Sequence, residues 1–219
     1  MGLLEKILRQ CQRPTGRLGR WMARGMNVGH AGLTKWALAQ VEVPEDAHAL
    51  DIGYGGGRTL ERLAAMARTG RAVGIDYSEE SVAVSRHRNR QELLSGRVEV
   101  HHGSVSSMPF PEATFDLVTA VETYYFWPDL AKDLGEVRRV MRPGAQLVMV
   151  AAVYKDPRFD RRNRRFVDAI GMTYLSPPEL EEALAEAGFE RIRIMEHRRR
   201  GWLCAIGRKP DSAARTPPC

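Results

Sequence analysis

The chain has 219 residues, 43% hydrophobic and 27% charged, values that are ordinary for a globular protein with a buried core. Its formal net charge is +6, which suits a solvated surface but is also compatible with an acidic substrate, a membrane surface or nucleic acid. The three cysteines are widely spaced, so the sequence predicts neither a disulfide framework nor a metal site.

The N-terminal residues and the cysteine usage favour a cytoplasmic protein. The apolar run at the N-terminus is short and interrupted by charges, unlike that of a secretory signal peptide. No stretch approaches the length of a membrane span, and the few cysteines suit a reducing compartment. We therefore expect no membrane span and a cytoplasmic location.

Helices and strands are predicted to alternate along the chain. Apolar spacing, capping residues and Pro-Gly breaks indicate helices over residues 2–12, 31–41, 57–68, 78–94, 127–144 and 176–189. Apolar and alternating runs indicate strands over residues 48–53, 72–76, 97–103, 113–121 and 145–154, then a hairpin of residues 191–197 and 201–209. This order predicts right-handed βαβ units, and hence an α/β fold with a mostly parallel sheet and an antiparallel edge.

The stretch ALDIGYGGGRTL, residues 49–60, places four glycines directly after the first predicted strand. Glycines at this point allow a tight turn and let a ligand approach the backbone in front of the following helix. The pattern is D-x-G-x-G-x-G from Asp51 to Gly57, and the third glycine of a dinucleotide-binding motif is replaced by Arg58. The carboxylate of Asp51 would repel a pyrophosphate and attract an ammonium group.

This pattern resembles motif I of the class I S-adenosylmethionine-dependent methyltransferases, of the small-molecule type similar to the ubiquinone- and menaquinone-biosynthesis enzymes. The resemblance continues in order through VGIDYS, HHGSVSSMPFPEATFDLV and EVRRVMRPGAQLVMV, and it covers roughly residues 47–152. It implies a Rossmann-like fold with seven strands, the last of them antiparallel, and S-adenosyl-L-methionine as the cofactor.

The resemblance also implies which residues bind the cofactor. The loop after strand one would face its methionine part, and the acid after strand two would accept hydrogen bonds from its ribose. Residues after strands three and four would line the adenine and sulfonium ends. The residues so assigned are Asp51, Gly53, Tyr54, Gly55, Gly57, Asp76, Tyr77, Ser104, Val105, Val121 and Glu122. Many relatives carry Asp where this chain has Ser104, and a serine would bond the adenine amino group more weakly.

Methyl transfer from a sulfonium is an in-line displacement that needs alignment and dehydration more than a particular catalytic residue. Two positions are nevertheless candidates for catalysis: His30, because imidazole ionises near neutral pH, and Tyr124 in an aromatic run. The candidate substrate-binding residues are Asn27, Tyr125 and Tyr154. Capping or core packing is the alternative interpretation for the histidine and for the aromatic residues.

The expected organisation is an N-terminal helical cap, a cofactor-binding domain and a disordered tail. The cap comprises residues 1–45, the methyltransferase domain residues 46–208, and the tail residues 209–219. Within the cap, residues 26–34 are expected to cover the cofactor and help to bind substrate. An insertion at about residues 154–176 is the expected substrate cover.

The acceptor is the least determined part of the prediction. The motif of nucleic-acid amino methyltransferases, in which Pro-Pro and an aromatic residue follow strand four, is missing, and no cysteine lies near that position. Both observations argue against nucleic acid. We expect a monomer or homodimer that methylates an anionic or aromatic small molecule. The alternatives are an RNA or protein methyltransferase that uses the arginine clusters, and a non-catalytic cofactor-binding module.

Overall fold

The computed structural model describes Thr15, Gly16, Gly19 and residues 30–211, except for the side chain of Arg165. The helices within these residues are α1 (Ala31–Leu38), α2 (Arg58–Met66), α3 (Glu79–Arg88), α4 (Arg90–Leu94), α5 (Leu130–Val140), α6 (Asp160–Ile170) and α7 (Pro177–Glu186). The strands are β1 (His48–Ile52), β2 (Arg71–Asp76), β3 (Val98–His102), β4 (Phe115–Val121), β5 (Met141–Ala151), β6 (Glu190–His197) and β7 (Trp202–Arg208). The helix predicted over residues 2–12 lies outside the described residues.

The seven strands form one sheet in the order β3-β2-β1-β4-β5-β7-β6. Neighbouring strands from β3 to β5 are parallel, whereas β7 runs antiparallel to both β5 and β6. The prediction of a mostly parallel seven-stranded sheet with an antiparallel terminal hairpin is confirmed. The strand order reverses between β1 and β4, and α/β sheets bind their ligands at the carboxyl ends of the strands at such a point.

Hydrophobic side chains cover both faces of the sheet. Leu50 and Ile52 of β1 belong to a core cluster with residues of α5 and α7, whereas Ala49 belongs to a second cluster with residues of α1 and α2. The two clusters lie on opposite faces because successive side chains of a strand point to opposite sides. Burial of both faces is what a central parallel strand requires. In the part of the chain that the structure describes, no helix is both long and apolar enough to cross a membrane.

The first turns of three helices are capped by side chains. Ser78 Oγ accepts a hydrogen bond from the backbone N–H of Ser81 at 3.3 Å, and Asp129 caps α5 in the same way. Ser176 and Glu179 form a reciprocal capping box at the start of α7. These caps satisfy backbone donors that a helix leaves unpaired. The helix starts that the sequence predicted at Ser78 and Ser176 are confirmed.

The single helix predicted over residues 78–94 is instead two helices, α3 and α4, divided at Asn89. The buried side-chain amide of Asn89 donates to the carbonyl of Gly57 at 3.0 Å and to that of Ser85 at 3.2 Å. The helix is interrupted at Asn89, whose side chain ties the end of α3 to the start of α2. Apolar spacing alone carries no sign of this tertiary bond.

The helix predicted over residues 127–144 is shorter at both ends. A short 3-10 helix, Tyr124–Phe126, follows β4, and α5 begins only after the Asp129 cap. At the other end, residues 141–144 open β5 rather than closing the helix, because Met141 pairs with Phe115 of β4 and the N–H of Gly144 donates to the carbonyl of Lys209. Strand pairing overrides the local helix pattern here.

The predicted tail, residues 209–219, is packed at its first residue. The backbone N–H of Lys209 donates to Ala145 at 2.9 Å, and its Nζ donates to the carbonyls of Arg138 and Met141 at 2.8 and 2.7 Å. The packed part of the chain therefore includes Lys209. Residues 212–219 lie outside the described residues.

Replacing Leu134 by Ala is expected to lower the free energy of unfolding by about 2–5 kcal/mol, because Leu134 on α5 is fully buried and its loss leaves a cavity. Leu94→Ala is the matched control, since Leu94 is 80% exposed and its change is expected to stay within about 0.5 kcal/mol. Urea unfolding of both variants measures the difference. Equal effects would contradict the assignment of α5 to the core.

Candidate active site

A cavity of about 550 Å³ lies at the carboxyl ends of β1, β2 and β4, where the strand order reverses. Its volume is within the range of sites for small ligands and cofactors. The residues that line it are Thr15, Ile52, Gly53, Ile75, Asp76, Tyr77, Gly103, Ser104, Val105, Thr123, Phe126, Trp127 and Pro128. The sheet topology thus places a ligand site where the glycine-rich loop begins.

The glycines after β1 have distinct physical roles. Gly53 has a φ of +69°, and a Cβ on it would lie 2.3 Å from Oγ1 of Thr123, so only glycine lets these two loops touch. Gly57 has a φ of +79°, and a Cβ on it would lie 2.2 Å from Oγ of Ser85 on α3. Gly55 differs, because a Cβ there would meet nothing within 4 Å. The backbone at Gly55 is therefore open to an approaching ligand.

Asp51 places a buried carboxylate beneath this loop, with 1% of the residue exposed. Its Oδ1 accepts a hydrogen bond from Oγ1 of Thr119 at 2.6 Å, while its buried Oδ2 has no partner among the described residues. Burial raises the pKa of Asp51 to about 7, against the lowering effect of the Thr119 hydroxyl. A buried oxygen without a partner is costly, so this one is suited to a cationic group brought by a ligand.

Asp76 lines the cavity at the end of β2 and also holds the glycine loop. Its Oδ2 accepts from the backbone N–H of Gly55 at 2.8 Å, and its Oδ1 accepts from that of Ser78 at 2.9 Å. Burial raises the pKa of Asp76, and these two hydrogen bonds oppose the rise. Because each carboxylate oxygen can accept a second hydrogen bond, Asp76 keeps acceptor capacity toward the cavity.

The segment after β3 forms another wall of the cavity. Gly103, Ser104 and Val105 line it together with Tyr77, which follows β2. Val105 is 7% exposed and offers an apolar surface, while Oγ of Ser104 accepts from the backbone N–H of Ser106 at 3.2 Å. A hydroxyl that accepts one bond still carries a donor proton. This wall suits a flat, partly polar group.

A second group of ionisable residues surrounds Glu122, just after β4. The backbone of Glu122 has a φ of +58°, which is uncommon for a residue other than glycine, and its side chain is 8% exposed. Its carboxylate accepts hydrogen bonds from the backbone N–H of Ala152 and from Tyr125, and its Oε2 lies 3.6 Å from Nε2 of His30. Burial raises the pKa of Glu122, and His30 opposes the rise. Strained backbone around buried polar groups is typical of functional sites.

Several residues that the sequence assigned to the site do not line the cavity. Tyr54 is buried, and its hydroxyl donates to the carbonyl of His101 at 3.2 Å. Tyr124 is 1% exposed within the main core cluster. Tyr154 is fully buried, and its hydroxyl donates to Oε2 of Glu196 at 3.2 Å. These contacts are structural, and the proposed roles of the three tyrosines stay predictions.

Two further residues that the sequence assigned to the site, Val121 and Asn27, are not among the described residues of the cavity wall. Val121 is partly buried against the second core cluster, next to Glu122 but not in the cavity wall. Asn27 lies outside the described residues. Gly53, Asp76, Tyr77, Ser104 and Val105, in contrast, all meet around the cavity. The structure therefore brings together the residues expected at the ribose and adenine ends, with Asp51 beneath them.

Sequence analysis did not assign Thr123 to the site. For the aromatic residues of this run, which include Trp127, it kept core packing as an alternative interpretation. Both line the cavity, and Trp127 is 6% exposed with an indole Nε1 that has no partner among the residues described. The signal for Thr123 was indirect, because a glycine at the end of one strand implies that some other residue approaches it closely. Nothing in the sequence identifies which residue that is.

Comparison with known proteins matches the part of the chain that contains this site. Residues 50–149 match the family described as a methyltransferase domain. This range begins just before Asp51 and ends near the end of β5, so it contains both carboxylates and the whole cavity wall except Thr15.

Two curated relatives are methyltransferases by name. A demethylmenaquinone methyltransferase of Lactiplantibacillus plantarum is 31% identical over 58% of this chain and 54% of its own length. An O-methyltransferase of Penicillium expansum is 27% identical over 76% of this chain and 60% of its own. The chain thus spans only about half to three fifths of the length of these relatives.

A solved structure extends the likeness over nearly the whole fold. An S-adenosylmethionine-dependent methyltransferase from Aquifex aeolicus superposes with a TM-score of 0.70 and 23% identity, covering 86% of this chain and 97% of that one. The fold, the matched domain and the arrangement of Asp51, the glycine loop and Asp76 agree with one another. The chain is thus similar to methyltransferases over residues 50–149, and its fold is that of an S-adenosylmethionine-dependent methyltransferase of known structure.

Proposed function

We propose that the chain transfers a methyl group from S-adenosylmethionine to a small aromatic acceptor at the carboxyl edge of its sheet. The observation that carries the proposal is a pair of buried carboxylates on neighbouring strands: Asp76 in the cavity wall with spare acceptor capacity, and Asp51 on β1 with an unpartnered oxygen. A cofactor with a cationic amino-acid head and a ribose needs two such groups.

The residues present fit this cofactor. The orphaned Oδ2 of Asp51 would receive a hydrogen bond from its ammonium group, with the loop backbone at Gly55 open beside it. Asp76 would accept from the ribose hydroxyls, while Tyr77, Ser104 and Val105 would enclose the adenine. When bound, the cofactor supplies a methyl group activated on a positively charged sulfur.

The chain's own contribution is alignment, exclusion of water and a base. We assign the base to His30, which lies at the start of α1 with Nε2 facing the buried carboxylate of Glu122. The proton of an acceptor hydroxyl would pass to the other ring nitrogen of His30, and the negative charge of Glu122 would stabilise the resulting imidazolium. Tyr125, which also bonds Glu122, would help to hold this arrangement.

The boundaries of the cap and the substrate cover belong to the same proposal. Thr15 lines the cavity, and the backbone N–H of Gly16 donates to Oε1 of Glu80 at 2.6 Å, which supports a role for the N-terminal segment in closing the cofactor site. The insertion of residues 154–176 reaches the loop after β4, since the N–H of Thr173 donates to the carbonyl of Tyr125 at 2.9 Å. These contacts support residues 1–45 as a cap and the insertion as a substrate cover. Asn27 stays a predicted acceptor contact, whereas Tyr154 is buried and bonded to Glu196.

An aromatic acceptor is favoured by the aromatic side chains around the site and by the names of the relatives. Phe126 and Trp127 line the cavity, and the rings of Tyr125 and Phe126 lie 4.7 Å apart. A cytoplasmic location is part of the proposal. A non-catalytic cofactor-binding module would be recognised by tight cofactor binding without turnover over a broad panel of acceptors. An RNA methyltransferase would be recognised by salt-dependent RNA binding.

Asp76→Asn is expected to weaken the binding of S-adenosylhomocysteine by about 10- to 100-fold, because hydrogen bonds to a charged acceptor are lost. Isothermal titration calorimetry measures the affinity, and thermal unfolding checks that the variant folds. The exposed Asp46→Asn is the matched control and should bind normally. A wild-type chain that ignores S-adenosylhomocysteine but binds NAD would overturn the proposed function.

The pH dependence of stability should differ between the wild-type chain and Asp51→Asn. Folding raises the pKa of Asp51 from an ordinary 3.8 to about 7, so the folded chain retains a proton that the unfolded chain loses, and stability falls as the pH rises through 7. The variant has no carboxyl group to ionise at this position, so it does not lose stability in this way. Its free energy of unfolding relative to wild type should therefore grow between about pH 4 and about pH 8, by at most about 4 kcal/mol.

Urea unfolding over this pH range measures the effect of Asp51→Asn. Addition of S-adenosylhomocysteine should shrink the pH-dependent part in the wild-type chain, because its ammonium group favours the ionised carboxylate. A difference between variant and wild type that is constant with pH would contradict the role of Asp51 as a buried acid.

His30→Gln is expected to lower turnover by about 100-fold or more while leaving the affinity for S-adenosylhomocysteine within about twofold, because only the base is removed. The assay is release of S-adenosylhomocysteine over a panel of phenolic and quinol acceptors. His87→Gln, an exposed change on α3, is the control. Unchanged turnover in His30→Gln would exclude the base and leave the cofactor site standing.

A further inference from the structure

An arginine-rich surface lies at the same edge of the sheet as the active site. We call it the arginine edge, and it consists of Arg161, Arg162 and Arg164 on α6 and Arg198, Arg199 and Arg200 in the turn between β6 and β7. All six residues are exposed. The turn is at the carboxyl edge because β7 starts opposite the end of β5, where Leu203 pairs with Ala151.

These two segments carry a large surplus of positive charge, as residues 5–24 also do. Residues 155–168 carry six basic and three acidic side chains, and residues 196–200 carry three arginines and one glutamate. Their combined net charge of +5 compares with +6 for the whole chain. A charge asymmetry of this size creates a positive potential that acts on an anionic partner before contact.

The two segments form one continuous surface because they are pinned together. Nη2 of Arg158 lies 2.7 Å from Oε2 of Glu196, and the hydroxyl of Tyr154 donates to the same oxygen. Gly201 in the turn has a φ of +64°, and a Cβ on it would lie 2.9 Å from the ring of Phe159. The arginines on either side of this junction therefore keep fixed relative positions.

The arginine edge offers cations that the protein itself does not neutralise. Arg158 and Arg164 have acidic partners within the same segment, Asp156 and Asp160. Arg161 and Arg199, in contrast, form no ion pair with any residue that the structure describes, while Arg198 lies close enough to Asp156 to help lower its pKa. The guanidinium groups of Arg161 and Arg199 are available to phosphate oxygens, which they match in geometry.

An exposed aromatic side chain accompanies these cations. Phe166 on α6 is 44% exposed, although its neighbours Val167 and Ile170 pack against the core. Within the described part of the chain, Leu94 is the other large apolar side chain with high exposure, and it lies on α4, away from this edge. Phe166 is therefore the apolar group that would enter a partner bound by the arginines.

We propose that the arginine edge docks the protein on an anionic lipid surface, with the arginines on phosphate groups and Phe166 at the level of the acyl chains. Cations grouped around one aromatic side chain suit this partner. Binding of single-stranded RNA would instead need several aromatic rings free to stack with bases. Phe166 is exposed here, whereas Phe159 and Trp202 are only partly exposed and already lie under Arg162 and Arg200.

Docking in this orientation would place the active site next to the lipid. Gly32 lies on α1, two residues after the proposed base His30. A Cβ added to Gly32 would lie 3.5 Å from Nη1 of Arg200. The insertion that carries α6 contacts the loop after β4 through Thr173. An acceptor dissolved in the lipid could then enter the active site without crossing water. This consequence rests on the proposed function, but the docking proposal does not rest on it.

The test is co-sedimentation of the full chain with phosphatidylcholine vesicles that contain or lack phosphatidylglycerol. We expect binding that requires phosphatidylglycerol and decreases at high salt. The double variant Arg161→Gln/Arg199→Gln should weaken binding by about thirtyfold. Arg68→Gln/Arg90→Gln removes the same charge from exposed positions elsewhere and should bind as the wild type does. Phe166→Ser should weaken binding severalfold at unchanged charge.

Circular dichroism establishes that each variant is folded. Co-sedimentation measures vesicle binding directly, so its result does not depend on methyl transfer. Absence of phosphatidylglycerol-dependent binding, or equal losses in the two arginine double variants, would overturn the proposal. Tight binding of a labelled single-stranded RNA that Arg161→Gln/Arg199→Gln abolishes, with no vesicle binding, would replace the lipid by RNA. A wild-type chain that binds these vesicles but transfers no methyl group would count against the proposed function and leave the docking proposal standing.

Discussion

The site depends on keeping a carboxylate out of water at the end of β1. Asp51 is nearly fully buried, one of its oxygens is bonded by Thr119 from the neighbouring strand, and the other has no partner in the described structure. Such a group is tolerated where a ligand completes its bonding. The parallel pairing of β1 with β4 places Thr119 directly beside Asp51, and the glycine loop above leaves room for a ligand.

Much of the fold could be predicted from the sequence, because its signals are local. Apolar strands, capping residues such as Ser176 and the terminal hairpin all depend on residues close together in the chain. What failed were features set by distant contacts. The break at Asn89 accompanies its bond to Gly57, and residues 141–144 join β5 because Met141 pairs with β4 and Gly144 bonds Lys209. Local patterns carry no information about such partners.

The same distinction applies to the site. Gly53 and Asp76 could be placed because a strand end followed by glycine or by an acid has a specific meaning in α/β sheets. Tyr54 and Tyr154 could not, because the sequence does not show whether a tyrosine ring faces a ligand or the core. Both are buried, and the protein itself satisfies their hydroxyls. The closeness of His30 and Glu122, far apart in sequence, was likewise invisible.

Asp76 binds the backbone of Gly55 with one oxygen and that of Ser78 with the other, so a single side chain clamps the loop after β1 to the start of α3. The loop therefore has its shape before any ligand arrives. Entry of a nucleoside would not have to wait for a segment to fold around it, and little conformational entropy would be lost at that moment. Association would then be governed by diffusion into the cleft and by the movement of whatever covers it.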